Sequence, residues 1–136
     1  MKYLSVDFGL SHLGFAVSNG EIAEPVKIDV VNKADMDKLI DKVLPIVQMY
    51  RAQNIVIGFT QGKVGRQAKI FGEKLKTATN LPVFFQEEEF TTQKAIKQML
   101  ESGKRKSRRQ TEGHGLAAAN ILQEYLEKQK SAIIKN

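Results

Sequence analysis

The sequence predicts one α/β domain, in which helices cover both faces of a mixed five-stranded sheet. Three short apolar runs come first, separated by turn residues, which predicts an antiparallel meander. Two further apolar runs then alternate with helical patterns, as in β-α units. A chain of 136 residues that is 42% hydrophobic and 26% charged is long enough for a single hydrophobic core. We therefore predict one domain over residues 1–130 and a frayed tail over 131–136.

The individual elements follow from periodicity and from turn residues. Gly9 and Asn19-Gly20 separate the first three strands and favour tight turns. Pro45 falls within a helical pattern and should kink or locally disrupt that helix. A glycine-rich loop, Thr60 to Gly65, follows the fourth strand. The predicted strands are Lys2 to Val6, Leu13 to Val17, Val26 to Val31, Asn54 to Gly58 and Pro82 to Gln86, and the predicted helices are 34–51, Arg66 to Thr79, Thr91 to Glu101 and Thr111 to Lys128.

The composition excludes several classes of protein. The chain has no cysteine, so it can form neither a disulfide nor a thiolate metal site. No apolar run approaches the roughly 20 residues that span a bilayer. We also expect no signal peptide, because the predicted first strand follows Met1 directly. We expect a cytoplasmic protein that does not bind a membrane and is a monomer or a homodimer.

The net charge of +6 is unevenly placed, with one block at Lys104-Arg105-Lys106-Ser107-Arg108-Arg109. Five cations in six positions repel one another, which predicts an exposed, mobile loop. The natural partner of such a loop is a polyanion, above all a nucleic-acid backbone. A solvated loop that only aids solubility is the alternative.

Asp7 is the first candidate site residue, because an apolar strand delivers this carboxylate to its exposed end. A carboxylate at the mouth of a buried strand is costly to desolvate unless a cation lies beside it. Its hard oxygen atoms suit Mg²⁺ or Mn²⁺. The alternative is that Asp7 only caps a β-turn with Gly9, since Asp-x-Gly is a common turn sequence.

Two further polar groups lie at a strand end and at a helix start, where folds of this class gather their sites. Glu87-Glu88-Glu89 follows the fifth strand, and alternation turns Glu88 away from its two neighbours. The alternative is an acidic first turn of the next helix. His114 opens the last helix on a small-residue face that includes Ala118. Close packing of that face on the first strand would bring His114 toward Asp7, unless the histidine is structural.

Several short motifs follow one another in a specific order. They are Asp7-Phe-Gly9, Gly14-Phe-Ala16-Val, Ile57-Gly58, Leu81-Pro82-Val, Glu88 before Phe90-Thr91-Thr92, and Ala117-Ala118 before Ile121-Leu122-Gln-Glu-Tyr125-Leu. In this order they resemble the YqgF/RuvX family, small bacterial nucleases of the ribonuclease H-like fold that are related to RuvC-type Holliday junction resolvases. The resemblance covers Lys2 to about Glu127. It implies the strand order 3-2-1-4-5, with strand 2 antiparallel.

The resemblance also implies a phosphodiesterase site that depends on Mg²⁺ or Mn²⁺. Its catalytic and metal-binding residues would be Asp7, Glu88 and His114, with Glu87 and Glu112 as second choices. Two ions, both held by Asp7, would activate a water and stabilise the leaving oxygen. The residues that would hold substrate phosphates are Lys63, Arg66, Lys104, Arg105, Lys106, Arg108 and Arg109.

His114 is the main departure from the family, which has an aspartate at this position. Imidazole serves Mn²⁺ adequately but is a poorer partner for Mg²⁺. Glu89 replaces an arginine, Thr60 replaces a proline, and Ser11 and His12 replace basic residues. An inactive or repurposed site is therefore an alternative to an active one.

Three functions agree with these observations. The resemblance favours an endonuclease for structured nucleic acid that matures the 16S rRNA precursor in ribosome biogenesis. The second function is resolution of branched DNA at Holliday junctions, for which a dimer would cut two strands symmetrically. The third is a nucleic-acid-binding module whose catalytic site is degraded.

Overall fold

The sheet has five strands in the order β3-β2-β1-β4-β5, as predicted. The computed structural model describes residues 1–8, 12–30, 35–59, 62–87 and 106–135. Strand β2 is antiparallel to both β1 and β3, whereas β4 is parallel to both β1 and β5. The mixed sheet is thereby confirmed. The strands are β1 (Tyr3–Phe8), β2 (His12–Ser18), β3 (Ala23–Val30), β4 (Asn54–Phe59) and β5 (Val83–Glu87).

The helices cover both faces of the sheet. Helices α1 (Met36–Met49) and α2 (Lys63–Thr79) form one hydrophobic core with the sheet, and α3 (Lys106–Lys135) forms a second core on the opposite face. The first core contains large side chains such as Phe15 and Phe71, whereas the second is built around alanines of α3. Within the described ranges, no helix is both long and apolar enough to cross a membrane.

Helix α1 continues through Pro45, where we predicted a kink or a local disruption. Proline removes one backbone donor, so the carbonyl of Asp41 loses its helical partner. Both Pro45 and Asp41 are exposed, and water can satisfy that carbonyl. The helix therefore does not end at the proline, which lies on its exposed side.

Two helices extend beyond their predicted ends. Helix α2 begins at Lys63, so Gly65 lies inside the helix and not in the preceding loop. Helix α3 begins at Lys106 and ends at Lys135, whereas we predicted Thr111 and Lys128. Lysine and arginine are good helix formers, and a helix that is already packed on a sheet propagates at little cost. The predicted helix from Thr91 to Glu101 lies outside the described residues.

The second core depends on a close approach of α3 to the sheet. Ala117, Ala118 and Ile121 are fully buried there, and Tyr125 is 9% exposed. Burial raises the pKa of the Tyr125 hydroxyl, and the neighbouring Tyr3 raises it further. Small side chains let the helix axis lie near the strands, which confirms the close packing predicted from the alanines.

Gly58→Ala tests this close approach. A Cβ at Gly58 would overlap Cδ1 of Ile121 and lie 3.0 Å from its Cγ1. We expect a decrease of about 1–3 kcal/mol in the free energy of unfolding, because overpacking a buried contact forces displacement. Urea unfolding of both proteins measures it. In an Ile121→Val background, which removes Cδ1, Gly58→Ala should cost less; an equal cost in both backgrounds would contradict the contact.

Candidate functional site

Asp7 lies inside the sheet at the carboxyl edge of β1. Its backbone pairs with Gly14 on β2 and with Gly58 on β4. Only 2% of its surface is exposed. Asp7 is thus a buried residue of the strand ladder. The expectation of an exposed strand end was wrong, since neighbours on both sides enclose this position.

The side chain of Asp7 belongs to the α3 face of the sheet. Successive residues of a strand alternate between faces. The ring of Tyr3 lies 6.1 Å from that of Tyr125, centroid to centroid, and the Ser5 hydroxyl donates to the Ala118 carbonyl at 2.7 Å. Asp7 follows Tyr3 and Ser5 on this face, whereas Leu4, Val6 and Phe8 belong to the core on the α1 and α2 side.

Helix α3 runs antiparallel to β1 and carries its first turns toward Asp7. Along β1 the contacts move from Tyr3 to Ser5, and along α3 they move back from Tyr125 to Ala118. The two strand residues from Ser5 to Asp7 span about 6.6 Å, a rise that a helix covers in about four to five residues. The backbone turn that contains Glu112 and His114 therefore lies at the Asp7 end of the sheet.

Glu87, the last residue of β5, is the described residue of the acidic run Glu87-Glu88-Glu89. Glu87 pairs with Phe59 and shares a face with Phe85, whose ring lies 6.4 Å from that of Phe59. This is the α1 and α2 face, opposite to the Asp7 side chain. The structure therefore does not bring Glu87 to Asp7. Glu88 and Glu89 lie outside the described residues.

Two of the predicted phosphate ligands lie at the same edge of the sheet as Asp7. Helix α2 follows the carboxyl end of β4, and Lys63 and Arg66 are exposed in its first turn. That turn contains no acidic residue, and Gly62 at the N-cap offers no side-chain hydrogen bond. The positive end of the helix dipole and the two cations therefore add up to a positive potential.

The basic block is in part helical, where we predicted a loop. Lys106, Arg108 and Arg109 lie in the first turns of α3, and Lys104 and Arg105 lie outside the described residues. The basic residues from Lys106 onward thus begin the helix at the end that points toward Asp7.

The sequence analysis missed Ser5, which joins β1 to α3 two residues before Asp7. Strand alternation could have identified Ser5, because a residue two positions before Asp7 shares the face of Asp7. Among the three predicted metal-binding residues, Asp7 alone has a described side chain. Within the described side chains, no group of three or more His, Cys, Asp or Glu residues could hold a metal ion.

Known proteins resemble this chain over most of its length. A "Putative pre-16S rRNA nuclease" from Rickettsia canadensis is 36% identical over 93% of this chain and 86% of its own. A protein of the same name from Agathobacter rectalis is 31% identical over 93% and 95%. The structure of the fowlpox virus resolvase, in complex with Holliday junction DNA, matches with a TM-score of 0.63 at 15% identity over 95% and 99%.

These matches agree with the geometry of the sheet and the last helix. The likeness to the fowlpox virus resolvase concerns the fold, which is ribonuclease H-like. The family model described as "RuvX: Holliday junction resolvase" matches residues 1–128. The chain belongs to the RuvX family.

Proposed function

We propose that the chain is a metal-dependent endonuclease whose substrate is the precursor of 16S rRNA. The observation that carries this proposal is Asp7, a carboxylate buried at the carboxyl edge of the central strand and on the face toward α3. The names of the curated relatives supply the substrate. Such an enzyme would act in the cytoplasm.

The residues fit a hard divalent cation. Carboxylate oxygens are hard ligands of the kind that Mg²⁺ and Mn²⁺ prefer. Asp7, Glu88 and His114 would hold Mg²⁺ or Mn²⁺, and Glu112, on the same helical turn as His114, is the second choice. When bound, a pair of such ions supplies an activated water and stabilisation of the leaving oxygen.

The faces of the sheet support Glu88 over Glu87. Glu87 lies on the face opposite to Asp7. If the alternation of β5 continues by one residue, Glu88 is directed to the Asp7 face. The backbone of Asp7 is already ordered before substrate binds, because β1 pairs with a strand on each side.

The cations at the helix starts would hold the phosphate backbone. Lys63 and Arg66 lie at the carboxyl edge of the sheet, and Lys106, Arg108 and Arg109 begin α3. Contacts to phosphate position a nucleic acid without reading its sequence. This arrangement suits a substrate that is recognised by its shape.

A second candidate function is resolution of Holliday junctions, which the description of the matching family model favours. Two cuts related by symmetry would require two copies of the chain. The third candidate, a module that binds nucleic acid without cutting, is motivated by His114 in place of the family's aspartate.

Asp7→Asn tests the proposed site directly. The amide keeps the size of the side chain but loses the charge, so we expect cleavage of a labelled 16S rRNA precursor to fall at least about a hundredfold. A four-way DNA junction is assayed in parallel, with Mg²⁺ and with Mn²⁺. Asp41→Asn makes the same chemical change at an exposed position of α1 and should leave the rate unchanged.

The outcomes separate the three functions. Cleavage of the junction but not of the RNA would favour the resolvase, and binding without cleavage under either metal would favour the non-catalytic module. Equal activity of Asp7→Asn and Asp41→Asn, with both folded by circular dichroism, would eliminate the proposed metal site.

His114→Asp tests the third ligand through the choice of metal. Imidazole is a poor partner for Mg²⁺, so we expect the wild-type protein to be more active with Mn²⁺ than with Mg²⁺. The aspartate should raise the rate with Mg²⁺ relative to Mn²⁺ by about tenfold. Steady-state rates across a titration of each metal measure this ratio. An unchanged ratio would remove His114 from the ligand set.

Lys63→Ala/Arg66→Ala tests the phosphate contacts at the start of α2. The slope of log Kobs against log salt is negative, and removal of one phosphate contact should reduce its magnitude by about 1. The magnitude should therefore decrease by about 1 to 2 in the double variant. Fluorescence anisotropy with labelled RNA measures the slope. Lys76→Ala/Lys128→Ala removes the same charge from exposed positions toward the opposite edge of the sheet. Equal slopes for the two double variants would refute these contacts.

A further inference from the structure

Ser5 is a buried polar residue in apolar surroundings. It has no exposed surface, and its neighbours in the sheet are Ala16 on β2 and Val56 on β4. Both neighbours belong to the apolar core beneath α3. A hydroxyl here gains nothing from solvent, so its bond of 2.7 Å to the Ala118 carbonyl must compensate its burial.

This hydrogen bond restrains α3 in a way that the apolar contacts do not. Ala118 and Ala119 pack in this core through single methyl groups, and apolar contacts of that kind have little directionality. A carbonyl inside a helix has a second lone pair that can accept from a side chain. The Ser5 hydroxyl uses it and so restrains sliding of α3 along β1, where one residue of slip is about 1.5 Å.

The bond from Ser5 to Ala118 joins β1, which carries Asp7, to α3, which carries His114. Asp7 is two residues beyond Ser5 on the same face, and His114 is four residues, about one turn, before Ala118. We propose that Ser5 is a positioning residue, whose bond to Ala118 restrains the axial register of α3 on β1 and thereby the place of the Glu112–His114 turn relative to Asp7. A second bond, from the Ala23 amide to Oε1 of Gln123 at 3.0 Å, holds α3 to β3, farther from Asp7. This inference rests on the proposed function for its catalytic consequence, but not for the register itself.

Ser5→Ala tests the proposal, with Ser18→Ala as its matched control. Ser18 is also a nearly buried serine on the sheet, 7% exposed, and its hydroxyl oxygen accepts from the Gly20 amide at 3.0 Å. It lies at the opposite end of β2 from the residue that pairs with Asp7. Both variants remove one hydroxyl, but only Ser5→Ala removes the link to α3.

Two measurements distinguish positioning from a general decrease in stability. With Mn²⁺ alone, calorimetry should show about tenfold weaker binding to Ser5→Ala, and kcat should fall about tenfold while KM for RNA stays within about twofold. Amide exchange over residues 112–122 of α3 should also accelerate about tenfold. Ser18→Ala should show none of these changes, and Ser5→Thr, which keeps a donor, should retain the wild-type values within about threefold.

The results decide the proposal in each case. Ser5→Ala with the Mn²⁺ affinity, the kcat and the exchange rates of Ser18→Ala would overturn it. If the wild-type protein neither binds Mn²⁺ nor cuts, the proposed function fails, whereas faster exchange confined to Ser5→Ala would still establish the register role. Should Ser5→Ala fail to fold, Ser5→Cys keeps the shape of the side chain, with a somewhat larger atom and a much weaker donor, and replaces it in each measurement.

Discussion

The close packing of α3 on the central strands is the contact on which the rest of this molecule depends. Gly58 provides the space, because any side chain there would overlap Ile121. The alanines of α3 provide the matching surface, and Ser5 adds a directional bond. Without this approach, the elements that carry Asp7 and His114 would not meet at one edge of the sheet.

The acidic and the basic residues of the candidate site lie in different environments. Asp7 is enclosed at the sheet, whereas Lys63 and Arg66 are exposed at a helix start. The basic residues from Lys106 onward continue a helix and do not form a loop, which gives their backbones a regular spacing of about 1.5 Å per residue.

The topology could be predicted from the sequence, because apolar runs, turn residues and strand alternation are local signals. The same signals predict that helices cover both faces of the sheet and that the alanines of the last helix pack closely on it. Helix ends were harder, since lysine and arginine suit a helix and a solvated loop equally well. The helical structure of the residues from Lys106 onward therefore depends on the packed part of α3, which the composition of this block does not reveal.

For the candidate site, the sequence predicts the sheet face of a residue only where alternation within one strand decides it. Asp7 and Ser5 share a face because they are two residues apart, but the face of Glu87 depends on the register of β5 against β4. A shift of one residue in that register would reverse the face. Pairing between strands that are distant in sequence is not a local signal, and so the assignment of Glu87 required the structure.

The central position of β1 also has a consequence for the timescales of the molecule. A strand hydrogen-bonded on both sides and covered by helices on both faces opens only when the whole domain unfolds. Exposed side chains at a helix start, by contrast, change rotamer within nanoseconds. The backbone of Asp7 is thus held for the lifetime of the native state, while the side chains of Lys63 and Arg66 can readjust many times within a single encounter with a ligand.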